Sequence, residues 1–483
     1  MIGRYPIEIG EKEFLDGITS SPYSSDGGFS PETNKVSITS STDKIGLLYQ
    51  SPTLSDISTN LSGNIIASAS DNGTLTSVLR YFLTDTGNFY SMNLNFLLTL
   101  RQTGSGTFTM GNADLVQFRN ELFATSDTDV VRLTGSTLSA IDNTWWSSTR
   151  GHGPLIDGVR HPMIVWENNL WIADDNNLHK WDGTTSSANA LALSTEQSIV
   201  ALGIDPSSGK MLISITEGSN ASGTIPKINK VLVYDGFSLK PLKAVIVDEM
   251  VTAFQQLGGT VFAAYGTNLG YWTGAGVNFL RKLNISYDVD ELIYKHKITT
   301  SDKTLLIAEG EKLLAMEDVI QGQKRFYYMQ DRTGLTLNGY LNAVCNLGAG
   351  NIAIAYQGTA DDNLKYFNKF DTTRIGKLDF YSKRYKMPRP VYVRQVYIEY
   401  ADGVLDNTTP GTAYLIDQAG NSYELSSLLN DSGETKYDMT CNGAKKVKFK
   451  NIQLRYVNNT DVPETSGIIA GISRFIIYYD IAE

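Results

Sequence analysis

The residues with chemistry to offer are few and scattered. Histidines stand at His152, His161, His179 and His296. None falls in an H-x-x-x-H type of spacing, and none lies near Cys345 or Cys441, so no metal-ligand set is written along the chain. His152 and His161 share a glycine- and proline-containing stretch, GHGPLIDGVRHP, which reads as a loop whose imidazoles serve structure. Acidic groups cluster at Asp174-Asp175, at Asp361-Asp362, and at Asp288, Asp290 and Glu291. Paired carboxylates could run glycoside hydrolysis if the fold brought them to about 5–10 Å, or hold Ca²⁺ through their oxygens. Asp174-Asp175-Asn176-Asn177, however, stands where two apolar runs need a hairpin turn, and turn chemistry accounts for it. Gly104-Ser105-Gly106 lacks the strand-to-helix flanks of a nucleophile elbow. No glycine-rich phosphate loop is present. No residue is therefore assigned a catalytic, cofactor-binding or metal-binding role, and the chain reads as non-enzymatic.

Whatever these residues do, strands must position them. Apolar stripes at helical spacing are almost absent; 188–193 and 290–298 have room for a turn or two. Instead a two-strand phrase recurs. Asn169-Leu170-Trp171-Ile172-Ala173-Asp174 is followed, after a turn, by Leu178-His179-Lys180-Trp181-Asp182-Gly183. The same phrase opens near residues 64, 121, 169, 210, 260, 304 and 351, a mean spacing of about 48 residues, inside the range for propeller blades. Small Ala and Ser in the first strand let neighbouring sheets approach, and the second strand closes on Asp-Gly or Thr-Gly, a tight-turn signal. Such a unit cannot bury both faces alone; stacking copies around an axis does so. Intervening runs such as Met163-Ile164-Val165-Trp166 and Ile199-Val200-Ala201-Leu202 read as the innermost strands. Seven blades are expected, six if 64–82 is a cap. Trp171 and Trp181 should lie on adjacent strands of one blade.

The repeat is flanked by different sequence. Residues 1–45 are expected to form an N-terminal arm, 46–375 the propeller, and 376–483 a β-sandwich of jelly-roll type. The arm is turn-rich over 20–34, with Phe14, Leu15, Tyr23 and Phe29 spaced as for docking. Tyr381 to Pro388 reads as a linker into the second domain, whose strands then alternate clearly, as in Val391-Tyr392-Val393-Arg394-Gln395-Val396. Near its end, Lys446, Lys448 and Lys450 fall on one strand face, a solvated one, and Val447 and Phe449 on the other.

Charge and hydropathy narrow the partners. With 41 basic and 51 acidic residues, the formal charge of −10 disfavours direct nucleic-acid binding. The first residues carry no apolar core of a signal peptide, and no run approaches the roughly 18 apolar residues of a membrane helix. The expectation is a protein made in a cytoplasm and not inserted in a membrane.

Three features together resemble a known family: the opening GGFSPETNKV at 27–36, the Trp/Tyr-Asp-Gly blades, and the junction Lys383-Arg384-Tyr385-Lys386-Met387-Pro388 leading into Val391-Tyr392-Val393-Arg394-Gln395-Val396-Tyr397-Ile398. They are similar to the propeller proteins of tailed-bacteriophage virions. The resemblance spans most of the chain and includes no catalytic motif. It implies a structural virion component of the tail, nozzle or neck, in several copies forming a ring or symmetric assembly with other virion proteins. A receptor- or glycan-binding module is the alternative, and a propeller glycosidase or lyase a second one.

Overall fold

The computed structural model describes residues 5–10, 14, 36–39, 45–50, 54–71, 78–104, 106–135, 138, 140–218, 228–288, 291–319, 323–331, 340–357, 362–369, 378–400, 412–427, 436–440, 447–458 and 472–482. Seven antiparallel four-stranded sheets account for residues 55 to 368, and they are the blades of a β-propeller. Their inner strands touch one another in sequence and close a ring around an axis. Blade 3 shows the pattern: Met163–Trp166 inside, then Asn169–Asp174, Asn177–Trp181 and Ser186–Ala192 moving outward. Helical structure among the described residues is confined to Phe14, a π-turn at Trp145–Thr149 and a 3-10 turn at Lys295–Lys297. The stretch 188–193, held open above for a helical turn, is instead mostly outer strand.

Alternation along each strand buries both faces of a blade. Trp171, Ala173 and Leu178 pack toward blade 4, against Met211, Ile213 and Tyr234. Leu170, Ile172 and Trp181 pack the other way, against Phe123 and Val130 of blade 2 and Trp145 of the loop that follows it. Both expected tryptophans are thus in one blade, on adjacent strands, and buried. Where inner strands approach most closely the sequence uses glycine: a Cβ on Gly203 would lie 2.6 Å from the Phe254 Cβ. The Asp-Gly turns also do what their composition requires. Gly183 and Gly236 adopt φ of +95° and +82°, values open to glycine at little steric cost. The preceding Asp182 and Asp235 accept backbone N–H bonds from Thr184, Thr185, Phe237 and Ser238. Those bonds favour the ionised form and hold both carboxyls down at about 2.

Three expectations need correction. First, the copy near residue 64 is one strand out of phase. Ile65–Ser70 is the innermost strand of blade 1, and the phrase proper begins at Val78–Thr84. Its apolar, small-residue composition matches both strand positions, so periodicity alone does not separate them. Second, the propeller begins not at 46 but at Ser55–Asn60, which is the outermost strand of blade 7, paired with Asp362–Asn368. A strand preceding blade 1 thereby closes the ring. Third, the described parts of 1–45, expected as an arm spaced for docking, pack against this chain itself. Tyr5–Gly10 pairs along its length with Ile472–Ile481, and Val36–Thr39 lies beside blade 6. Phe14 is fully buried, edge-on to Phe380 and Phe475 at 5.7 and 6.4 Å. Leu15, Tyr23 and Phe29 lie outside the described residues.

Those terminal strands belong to an eleven-stranded sheet built chiefly from the C-terminal residues. Its spine is Tyr385–Tyr400, a single 16-residue strand where a linker was expected up to Pro388. Its first part pairs with Phe449–Asn458 and the rest with Ile472–Ile481. The register breaks between Lys386 and Val391, where Pro388 and Pro390 donate no ladder bond. Phe380 and Phe475, from strands on the two sides of this spine, stack at 5.2 Å, with Tyr456 at 5.6 Å from Phe475. One apolar cluster runs from blades 5–7 into this sheet. Lys448 and Lys450 are exposed and Phe449 is buried, as the alternation requires; Lys446 is outside the described residues.

Candidate functional site

Three of the four histidines do converge. The loop from blade 2 to blade 3 begins with the π-turn, held by Asp129 Oδ1, which accepts from the Trp146 and Ser147 amides. That places the Trp146 ring 4.0 Å from His152, stacked, and 5.1 Å from His179. His152 Nε2 lies 2.6 Å from Ser186 Oγ. Asp174 accepts from the Ile156 amide at 2.9 Å, and its other contacts are His161 Nδ1 at 3.5 Å and His179 Nε2 at 4.0 Å. Burial pushes the three imidazoles down, His179 to about 4, and pushes the Asp174 carboxyl up. Each group is therefore driven toward its neutral form. His161 is wholly enclosed, and Asp174 and His179 are buried. Enclosure keeps substrate from them. The cluster anchors the loop to blade 3, and among the described residues no group of three or more His, Cys, Asp or Glu is placed to hold a metal.

The other chemically suggestive residues stay apart. Asp175 sits at the tip of the expected hairpin with φ of +51°. Asp288 caps a turn through its carbonyl, bonded by the Glu291 and Leu292 amides. Asp290, Asp361, Ser105 and Cys441 lie outside the described residues. Cys345 is buried with its thiol 3.5 Å from Ser68 Oγ.

The fourth histidine leads to the axis. His296 belongs to the segment entering blade 6, which crosses the channel. Tyr294 lies under the Arg160 guanidinium at 4.7 Å and accepts a hydrogen bond from it, while Lys295 Nζ reaches Asp114 Oδ2 at 3.0 Å and the Met163 carbonyl at 3.0 Å. One end of the channel is thereby reduced to a cavity of about 40 Å³. The other end is wide, about 570 Å³, and Lys295 lines both. Ser68, Ser70, Gln117, Gln255, Thr300 and Asn346 line the wide end, from five different blades. Ser68, Gln117, Gln255 and Asn346 each follow apolar or small residues on their inner strands, whereas Thr300 follows Thr299. A hydroxyl or amide recurring within the inner strand of several blades was the signal available in the sequence, and it forms no contiguous motif because it is a position in a repeat.

No family model matches the chain, and no curated protein matches it. Among solved structures it is similar to YCF48 from Cyanidioschyzon merolae, at 10% identity and a TM-score of 0.42, over 65% of this chain and 98% of that one.

Proposed function

We propose that this chain is a non-enzymatic structural component of a tailed-bacteriophage virion, a tail, nozzle or neck-associated protein present in several copies. The observation that carries this reading is the apolar rim of blades 4 and 5. Phe237, Leu239 and Ile246 on the outer loop and edge strand of blade 4 are 78%, 86% and 72% exposed, and Phe279 on the edge strand of blade 5 is 60% exposed. Edge strands left in this state template pairing with other chains unless something covers them, and large apolar groups held in water mark contact surfaces. The C-terminal sheet adds a second, unrelated surface. We read that sheet as a β-sandwich, so that one copy offers two different faces, the condition for head-to-tail contacts that close into a ring. The segment from Lys383 into the Tyr385–Tyr400 strand, one of the three features that resemble phage virion proteins, lies within this C-terminal sheet. Among the described residues no helix is long and apolar enough to cross a membrane.

The test is the protein content of particles purified by density gradient from an infected culture. This chain is expected at a fixed copy number per particle. Recovery only in the particle-free fraction would overturn the reading.

A further inference from the structure

The wide end of the axial channel has the size of a small-molecule site, and an arginine bonded only to neutral groups lines it. Arg80 projects into it from the second strand of blade 1. Its Nη1 donates to Ser70 Oγ at 2.8 Å and to the Asn346 carbonyl at 3.3 Å, and its Nη2 to Ser68 Oγ at 3.4 Å. Its Nε–H meets no acceptor among the described residues. Every one of those partners is neutral. Four arginines elsewhere meet carboxylates, Arg132 with Glu121, Arg455 with Asp379, Arg394 with Asp480, and Arg474 with Glu399, whereas Arg101 and Arg384 donate to the neutral Ser91 and Gln453; of Arg80, Arg101 and Arg384, Arg80 is the one that lines the channel. The other cation of the cavity, Lys295, is matched by Asp114. Asp71, the acid bonded to the cavity's Gln117, also accepts from Tyr81. A guanidinium whose neighbours are neutral oxygens presents a planar fork suited to a carboxylate.

Around that fork the wall supplies hydroxyls and amides rather than apolar surface. Gln255 donates to Thr300 Oγ1 at 3.2 Å, and the Asn346 amide donates to the Thr300 carbonyl at 2.7 Å. Both amides are therefore held in orientation by Thr300, which lowers the ordering cost of receiving a ligand. Ser68 and Ser70 accept from Arg80, leaving their own O–H groups available to donate. Because Lys295 and Tyr294 fill the narrow end, a ligand enters from one side only.

We propose that this cavity binds a small hydroxyl-rich carboxylate, a uronic-acid-type sugar, with Arg80 on the carboxylate and the serine, threonine and amide groups on the hydroxyls. The site is independent of the assembly role: either holds if the other fails.

Titration of the full-length chain with galacturonate and glucuronate, with glucose and inorganic phosphate as separate arms, tests this. The readout is methyl nuclear magnetic resonance of Ile164, Val165 and Ile298, which line the cavity. Saturable shifts of these methyls are expected with a uronate, at a Kd on the order of 1 mM, and none with glucose. Arg80→Gln should weaken uronate binding at least tenfold with its melting curve intact. Should that variant unfold, Gln255→Leu, which removes a wall amide and no charge, should still weaken binding in a folded protein. Absence of uronate shifts in the wild type, equal shifts with glucose, or tighter binding of phosphate would each overturn the assignment. So would undiminished binding by folded Arg80→Gln.

Discussion

Trp171 and Trp181 face opposite ways from adjacent strands, so each cements a different pair of blades. Replacing Trp171 by Ala removes a large side chain from between blades 3 and 4. A cost of about 3–5 kcal/mol is expected, read as an earlier unfolding midpoint in urea, whereas Phe237→Ala on the exposed rim should move it by no more than about 0.5 kcal/mol. The histidine cluster sets a pH dependence. The His179 imidazole is held at about 4 by burial, against about 6.5 in an open chain. Below pH 6.5 the unfolded chain takes up a proton that the folded one refuses, so stability present at pH 7 is lost as pH falls toward 4. The full window amounts to roughly 3 kcal/mol. His161 acts in the same direction, and Asp174, raised by burial, acts against it. Urea unfolding at pH 7 and pH 4.5 checks this; a profile in His179→Gln as steep as in the wild type would remove His179 as the cause. The tryptophan placement was legible because it follows from alternation within ten residues. The histidine cluster was not, since it depends on how a π-turn aims Trp146 and how the following loop folds back, neither of which leaves a periodic trace.

The hairpins of the blades could be read because each is local: an apolar run, a turn with the right residues, a second run. The strands that join distant parts could not. Ser55–Asn60 is short, weakly patterned, and defined by a partner about 300 residues away. Tyr5–Gly10 is specified in the same way by Ile472–Ile481. The closure strand nonetheless holds the ring. Its Ile57 is buried among residues of blades 1 and 7, while Asp56, though paired with Lys365 at 2.6 Å, is mostly exposed. Ile57→Asp buries an unpaired charge and should cost several kcal/mol, seen in limited proteolysis as early cleavage within 341–368. Asp56→Ala should cost under about 1 kcal/mol. If the two behave alike, the strand is not what holds blade 7. Phe14→Ala, which vacates the centre of the Phe380–Phe475 cluster, is likewise expected to cost about 3–5 kcal/mol. A melting curve unchanged from the wild type would return the segment around Phe14 to the status of a free arm.

At the scale of the molecule, the rim of blades 4 and 5 and the interior separate assembly from folding. Leu239→Asp with Ile246→Asp changes two water-exposed positions, so the isolated protein should melt within about 1 °C of the wild type. On the proposed virion role, incorporation into particles, measured by complementation of a phage lacking the chain, should fall at least tenfold. Normal incorporation would move the contact surface elsewhere. The two long-range strand pairings also have an order in time. They are nested like brackets: 55–60 waits for 362–368, and 5–10 waits outside it for 472–481. At roughly 5–20 residues per second of synthesis, the inner bracket stays open on the order of 15–60 s, with an unpaired strand edge on each side of the gap. A ribosome that stalls before residue 362 releases a propeller with a missing wall, and slower codons lengthen the exposure without altering the finished protein. Slower synthesis is therefore expected to lower the soluble yield of this chain without changing the stability of the molecules that finish folding, measured by comparing slow-codon and fast-codon versions of one gene.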